Sequence, residues 1–266
     1  MDILQQIVAH KRKEVADKKE KHSLKSLEQT RYFERNTVSM VEHIRRPDCI
    51  GIIAEFKRQS PSKGVINSAT KVEQVTQGYI NAGASGLSIL TDERFFGGRS
   101  EDIELARKMN TCPILRKDFI VDEYQLVEAK SIGADMILLI AAVLSKEEVR
   151  SLASTAKKLN LEVLLEIHNE AELNTLCPEV DLVGVNNRNL KTFETSIDIS
   201  KKLSPKIPSD FLKISESGIH DADTIVDLKH HGFEGFLVGE RFMASAQPEE
   251  TCREFIVDVK SKLNQP

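Results

Sequence analysis

Charged side chains recur in this 266-residue chain at the ends of short apolar runs. In IIAEFKRQSPSKG (52–64), Glu55 and Lys57 stand two residues apart. If that run is a strand they share one face with Gly51 and Ile53, so the face that buries apolar side chains carries a carboxylate and an ammonium inward at its end. Burying charge there is costly unless the charge is paired or used. The pattern repeats: Leu115 shares its face with Lys117, Leu164 with Glu166, Gly184 with Asn186 and Arg188, and Ile214 with Glu216. For one strand, a terminal charge merely marks the exit into a polar loop. Several inward-facing lysines and glutamates in one mouth would shift one another's proton affinities and supply acid and base partners for proton transfer.

A second pattern points to an anion. ESG (216–218) and VGERF (238–242) follow apolar runs and offer small residues whose backbone N–H groups can approach a phosphate; Ser60 and Lys63 of the first loop could close over the same group. Metal chemistry finds little support. Cys49, Cys112, Cys177 and Cys252 form no C-x-x-C pair and read as small buried hydrophobes, and the seven histidines show no zinc-binding spacing.

The elements that position these groups come from an internal repeat. NAGASGLSILTD (81–92), SIGADMILLIAA (131–142) and KHHGFEGFLVGE (229–240) each run from a helix tail through glycine into a buried strand. CIGIIAEFK at 49, CPILRKDF at 112, LEVLLEIH at 161, DLVGVNN at 181 and FLKISES at 211 bring the expected strands to eight. Amphipathic helices alternate with them, including one over NEAELNTL; Ser100 and Ser145 read as N-caps, the latter with Glu148 as a capping box. Strands alternating with helices pair in parallel, and eight units in one chain fit a closed (β/α)8 (TIM) barrel better than an open doubly wound sheet. An open sheet would show a Gly-rich nucleotide loop, and RQSPSKG is not one. In a closed barrel the strand C-termini carry the chemistry.

Residues 1–48 read as an N-terminal helical extension packing on the barrel, and 49–266 as the barrel and catalytic domain. Ile3, Leu4, Ile7 and Val8 have helical spacing behind Asp2, and this helix either covers apolar surface or forms a lid over the site. The mixed charge run Lys11 to Lys21 reads as a solvated helix face. A net charge of -4 argues against a dedicated nucleic-acid binder. No apolar run reaches the roughly 18 residues that cross a bilayer, and the start lacks a signal-peptide layout; a cytoplasmic protein is expected, with no membrane partner.

The ordered set AEFKRQSPSKG, LTDERFFGG, LRKDFIVDEYQ, EVLLEIHNE, VGVNNRNLKTFE, SESGI and FLVGERFM resembles the indole-3-glycerol-phosphate synthases of tryptophan biosynthesis, along essentially the whole chain. The resemblance implies a lyase acting without metal or cofactor and working as a monomer. Its substrate would be 1-(2-carboxyphenylamino)-1-deoxyribulose 5-phosphate, which loses carbon dioxide and water as the indole ring closes. It further implies Lys117 as general acid on the ketose oxygen, Glu166 as general base for dehydration, and Lys57 and Arg188 at the anthranilate carboxylate. Glu55, Asn186 and Glu216 would orient these groups, Ser60, Ser217, Gly218, Gly239 and Glu240 would meet the phosphate, and Phe95 and Phe119 would wall the aromatic ring. Arg241 departs from the small residue common in the family at that place, and is expected to face solvent or to add a phosphate contact, the former preferred. Two other readings use the same barrel: a Schiff-base (class I) aldolase acting on a ketose phosphate through Lys117 or Lys57, and a sugar-phosphate-binding barrel without catalysis.

Overall fold

In the computed structural model, residues 2–190 and 192–264 are described. Eight short strands close into one parallel barrel: β1 (Ile52–Phe56), β4 (Gly86–Leu90), β5 (Ile114–Lys117), β6 (Met136–Ile140), β7 (Glu162–Ile167), β8 (Leu182–Asn186), β9 (Leu212–Glu216) and β10 (Gly235–Val238). Each pairs with its sequence neighbour, and β10 pairs with β1 to complete the ring. Two further strands, β2 (Gln59–Ser60) and β3 (Gly64–Val65), form a small antiparallel hairpin inside RQSPSKG, where sequence indicated only a loop.

The period-2 alternation sorts apolar side chains into two layers. Ile53, Leu115, Leu138, Leu164, Ile214 and Leu237 fill the barrel interior. Their neighbours Ile52, Ile89, Ile137, Leu165, Val183 and Phe236 face the surrounding helices. Strand parity therefore places Glu55, Glu166 and Glu216 above the interior layer, as their spacing from Ile53, Leu164 and Ile214 requires.

The outer helices are α4 (Val72–Ala82), α5 (Glu93–Phe96), α6 (Ser100–Met109), α7 (Tyr124–Ser131), α8 (Lys146–Lys158), α9 (Asp198–Leu203), α10 (Ala222–His230), α11 (Glu240–Met243) and α12 (Pro248–Leu263). Ser145 and Glu148 form the expected capping box at α8. Ser100 does not cap α6: the helix begins one residue earlier, with Arg99 at the N-cap and no side-chain cap. Asp102 in that first turn binds Arg58 instead, at 2.5 and 2.8 Å. NEAELNTL winds as a 3-10 turn over Glu170–Thr175, capped by Asn169, and not as an α-helix.

Before the barrel come α1 (Ile3–Lys21), α2 (Leu24–Glu28) and α3 (Met40–Ile44). Asp2 caps α1 in a capping box with Gln5. The charged run on α1 is not simply solvated. Lys11 is fully buried and reaches Asp92 and Asp118 of the barrel, each at 3.0 Å, while Lys18 and Lys19 pair with Glu128 and Asp122. Mixed charge on a helix looks the same in sequence whether its partners are water or carboxylates on another element.

At the opposite end, α3 plugs the barrel floor. Met40 and Ile44 join the interior cluster, and Glu162 accepts from the Ser39 hydroxyl at 2.5 Å and the Met40 N–H at 2.7 Å. A methyl group on Gly86 would lie 2.5 Å from the Met40 sulfur, so strand and plug are fitted to each other. Met40→Ala should therefore cost about 2 to 5 kcal/mol, the range for emptying a packed core site. Urea unfolding measures this loss, and the folded variant should keep its kcat because the plug is at the end remote from the charged rim.

Candidate active site

The strand C-termini open into a cavity floored by Leu138, Ile140 and Leu237. Phe96, Phe119 and Leu190 stand on its walls, and Ile3, Leu4 and Ile7 of α1 reach over it. The N-terminal helix thus contributes to the lining of the cavity.

At the centre lies Lys117, the last residue of β5. Its Nζ is 2.8 Å from Glu166 Oε2 and 3.0 Å from Glu216 Oε2. Burial alone would favour the neutral amine, but Glu166, Glu216 and Glu55 outweigh it and raise the lysine's proton affinity above its ordinary value. The two carboxylates are pushed apart. Burial, with the like charges of Glu166 and Glu55, lifts Glu216 to about 7 against the pull of Lys117; its Oε1 is buried with no hydrogen-bond partner. For Glu166, burial is overcome by Lys117 and His168, which hold it ionised. Two carboxylates against one ammonium, one poised near neutrality and the other kept charged, form an arrangement suited to acid and base work.

Around this core, Lys57 Nζ donates to Glu55 Oε1 at 2.7 Å and Ser88 donates to Glu55 Oε2 at 3.4 Å. Asn186 Nδ2 donates to Glu166 Oε1 at 3.2 Å, while its own Oδ1 accepts the Arg188 N–H at 3.0 Å. Space for these carboxylates is made by glycine. A Cβ on Gly184 would stand 2.2 Å from Glu216 Oε1, and one on Gly239 would stand 2.5 Å from Glu55 Oε1.

At the other end of the cavity, Ser217 and Gly218 turn with positive φ, 66° and 74°. A serine held there marks a constrained backbone of the kind that collects at functional sites. Opposite them, Ser60 and Ser62 of the β2–β3 hairpin face the cavity. Glu240 lies between two cations: its Oε2 accepts from Arg188 at 3.1 Å and its Oε1 is 3.4 Å from Lys63. This carboxylate pairs with both cations. Arg241 is exposed, and it also lines the cavity's edge.

The cavity brings together Glu55, Lys57, Ser60, Lys117, Phe119, Glu166, Asn186, Arg188, Glu216, Ser217, Gly218, Gly239 and Glu240. Phe95 is not among its lining residues. Its ring packs edge-on against His10, 5.9 Å between centroids, beneath the Arg94 guanidinium. Phe96 lines the wall instead, 6.0 Å from the Phe119 ring. Adjacent residues on the single turn of α5 point about 100° apart, so the two rings leave the turn in different directions. Sequence reasoning passed over Phe96 and His168, and used Gly184 only to mark the inward face, although FF in LTDERFFGG, a glycine inside an apolar strand and a histidine two residues beyond Glu166 were all visible.

Comparison with known proteins identifies the family. Residues 4–255 match the family model described as indole-3-glycerol phosphate synthase. The chain is 48% identical over 255 residues to the indole-3-glycerol phosphate synthase of Bacteroides thetaiotaomicron, covering 96% of this chain and 98% of that one. It is 41% identical over 261 residues to the enzyme of the same name from Acidithiobacillus ferrooxidans, covering 97% and 99%. Among solved structures, 3-hexulose-6-phosphate synthase from Salmonella typhimurium superposes with a TM-score of 0.62 at 14% identity, covering 79% of this chain and 99% of that one. The tryptophan synthase a2b2 complex from Pyrococcus furiosus gives a TM-score of 0.58 at 13% identity, covering 80% and 99%. These distant likenesses concern the barrel alone. The match along nearly its whole length and the close relatives place the chain in the indole-3-glycerol phosphate synthase family.

Proposed function

We propose that this chain closes the indole ring of 1-(2-carboxyphenylamino)-1-deoxyribulose 5-phosphate, and that Lys117 and Glu166 carry the proton transfers. The observation that supports this most is Lys117 held between Glu166 and Glu216 at the centre of a cavity with an aromatic wall on one side and an anion turn on the other. A flexible substrate gripped at both ends is brought to its reactive geometry, which lowers the entropic cost of cyclisation.

In this reading the anthranilate ring lies against Phe96 and Phe119, its carboxylate meets Lys57 and Arg188, and the phosphate takes the turn at Ser217 and Gly218 facing Ser60. The ring carbon bearing the carboxylate attacks the ketose carbonyl carbon while Lys117 delivers a proton to the carbonyl oxygen, so charge develops where a cation already stands. The bond to the carboxylate then breaks; its electrons return to the ring and carbon dioxide leaves. Glu166 then takes a proton from the ring carbon between the nitrogen and the carbon bearing the new hydroxyl, the hydroxyl leaves as water with a proton from Lys117 recharged from solvent, and the indole double bond forms. Glu55 and Glu216 keep Lys117 charged and aimed, and Arg188 and Lys63 are released from Glu240 as the anionic substrate arrives.

The Schiff-base alternative requires a neutral lysine. Ion pairs to two carboxylates and a raised proton affinity make Lys117 a poor amine nucleophile.

Indole fluorescence after addition of the ribulose phosphate tests the reaction directly; no signal at micromolar enzyme would overturn it. Lys117→Ala should lower kcat by a factor on the order of 10² to 10⁴, the loss expected for a positioned proton donor. Retention of half the wild-type rate would transfer the acid role to another group.

Ser217→Asp should act mainly on KM, by placing like charge at the anion turn, with kcat changed far less. Aspartate tolerates positive φ better than most residues, so the substitution tests charge more than backbone. Steady-state kinetics with added inorganic phosphate as a competitive inhibitor reads both effects. An unchanged KM and phosphate inhibition would remove the phosphate assignment.

A further inference from the structure

His168 lies just past the end of β7, two residues beyond Glu166, with only 12% of its side chain exposed. Its Nε2 is 3.3 Å from Glu166 Oε1 and its Nδ1 is 3.4 Å from Glu172 Oε2. Neither nitrogen makes a hydrogen bond of good geometry, so the attraction is one of charge at close range. Glu172 cannot swing away. Its Oε2 accepts the His168 backbone N–H at 2.7 Å and its Oε1 accepts Asn169 Nδ2 at 2.6 Å.

This geometry selects a protonation state. A neutral imidazole has one N–H, so its other nitrogen would turn a lone pair toward a carboxylate. Only the imidazolium presents a proton to both Glu166 and Glu172. Other charged groups also face this region: Lys117 of β5 and Glu216 of β9 through Glu166, and Asp2 and Arg12 of α1 with Arg188 beyond β8, which line the adjoining hollow.

We propose that His168 is a positioning residue: as an imidazolium clamped between Glu166 and Glu172, it fixes and keeps ionised the carboxylate that acts as base once Lys117 turns to the substrate. The role rests on the reading of Glu166 as that base. Glu166 is held by three groups, with Lys117 on Oε2 and Asn186 and His168 on Oε1. When Lys117 gives its proton to the ketose oxygen, Glu166 remains buried near Glu216 and Glu55. Like charges would then drive it to take up a proton early. The cation on Oε1 opposes this and leaves Oε2 free to accept the substrate proton.

Burial works against the charged imidazole, but Glu166 and then Glu172 outweigh it and raise His168 to about 9. Because the folded value lies above the ordinary 6.5, the stabilisation is fully present below pH 6.5 and is lost as pH rises through 9.

The test joins ring NMR with kinetics on His168→Gln and Glu172→Gln. The His168 ring signals, identified by their loss in His168→Gln, should titrate near pH 9 in the wild type and at least one unit lower in Glu172→Gln. In His168→Gln, the acidic limb of the kcat profile should move up by about one to three units, the range for losing an opposite charge at this distance, while KM changes little. Titration of His168 near 6.5 in the wild type would overturn the proposal. So would a kcat lowered equally at every pH, the behaviour of a merely structural group. Full activity in Glu166→Gln, with His168 titrating near pH 9 in the wild type, would locate the failure in the base assignment, and the positioning role would fall with it.

Discussion

The site is organised around one buried ammonium. Lys117 Nζ sits between Glu166 and Glu216 in surroundings too dry to leave any of the three charges alone. Removing one partner from such a cluster strands the others, whereas the intact cluster is held by attractions that water would weaken. The neighbouring groups follow from this need. Glu55 adds field at Lys117 and occupies Lys57; Asn186 and His168 engage the remaining oxygen of Glu166; Gly184 gives up its side chain so that Glu216 fits.

The same electrostatic logic fastens the N-terminal helix. Asp118, the residue after Lys117, and Asp92, which caps the turn carrying Phe96, both meet the buried Lys11 of α1. Lys11 and Arg116 hold the Asp118 carboxyl at about 2 against the opposing effect of burial. One lysine thereby ties three things together: the helix whose Ile3, Leu4 and Ile7 reach over the cavity, the aromatic wall, and the peptide next to the proposed acid. This is why a segment outside the barrel belongs to the site.

Polarity is divided along the barrel axis. The lower interior is apolar and closed by Met40 and Ile44, so the strands stay rigid beneath the charges. The rim holds nearly all the interior ionisable groups, and its two ends differ. Around Lys117 carboxylates are in excess over the lysine, while elsewhere on the rim Glu240 is met by Arg188 and Lys63.

Much of this was legible in the sequence because it depends on local period and on topology. Alternation along each apolar run places Glu55, Glu166 and Glu216 on the inward face, and eight strand–helix repeats force those faces to a common mouth. The resemblance carried by the motifs pointed to the same family as the later comparisons. What the sequence left open depends on distances between remote segments and on side-chain direction. Whether Phe95 or Phe96 faces the cavity is set by the entry angle of a single helical turn. Whether Lys11 is solvated or buried is set by Asp92 and Asp118, about 80 and 107 residues away in the chain. That His168 faces both Glu166 and Glu172 requires the 3-10 turn which sequence periodicity took for an α-helix. Residue pattern determined which groups converge; only tertiary packing decided which of them touch, because an ion pair or a ring contact is fixed by a few ångströms that no linear spacing encodes.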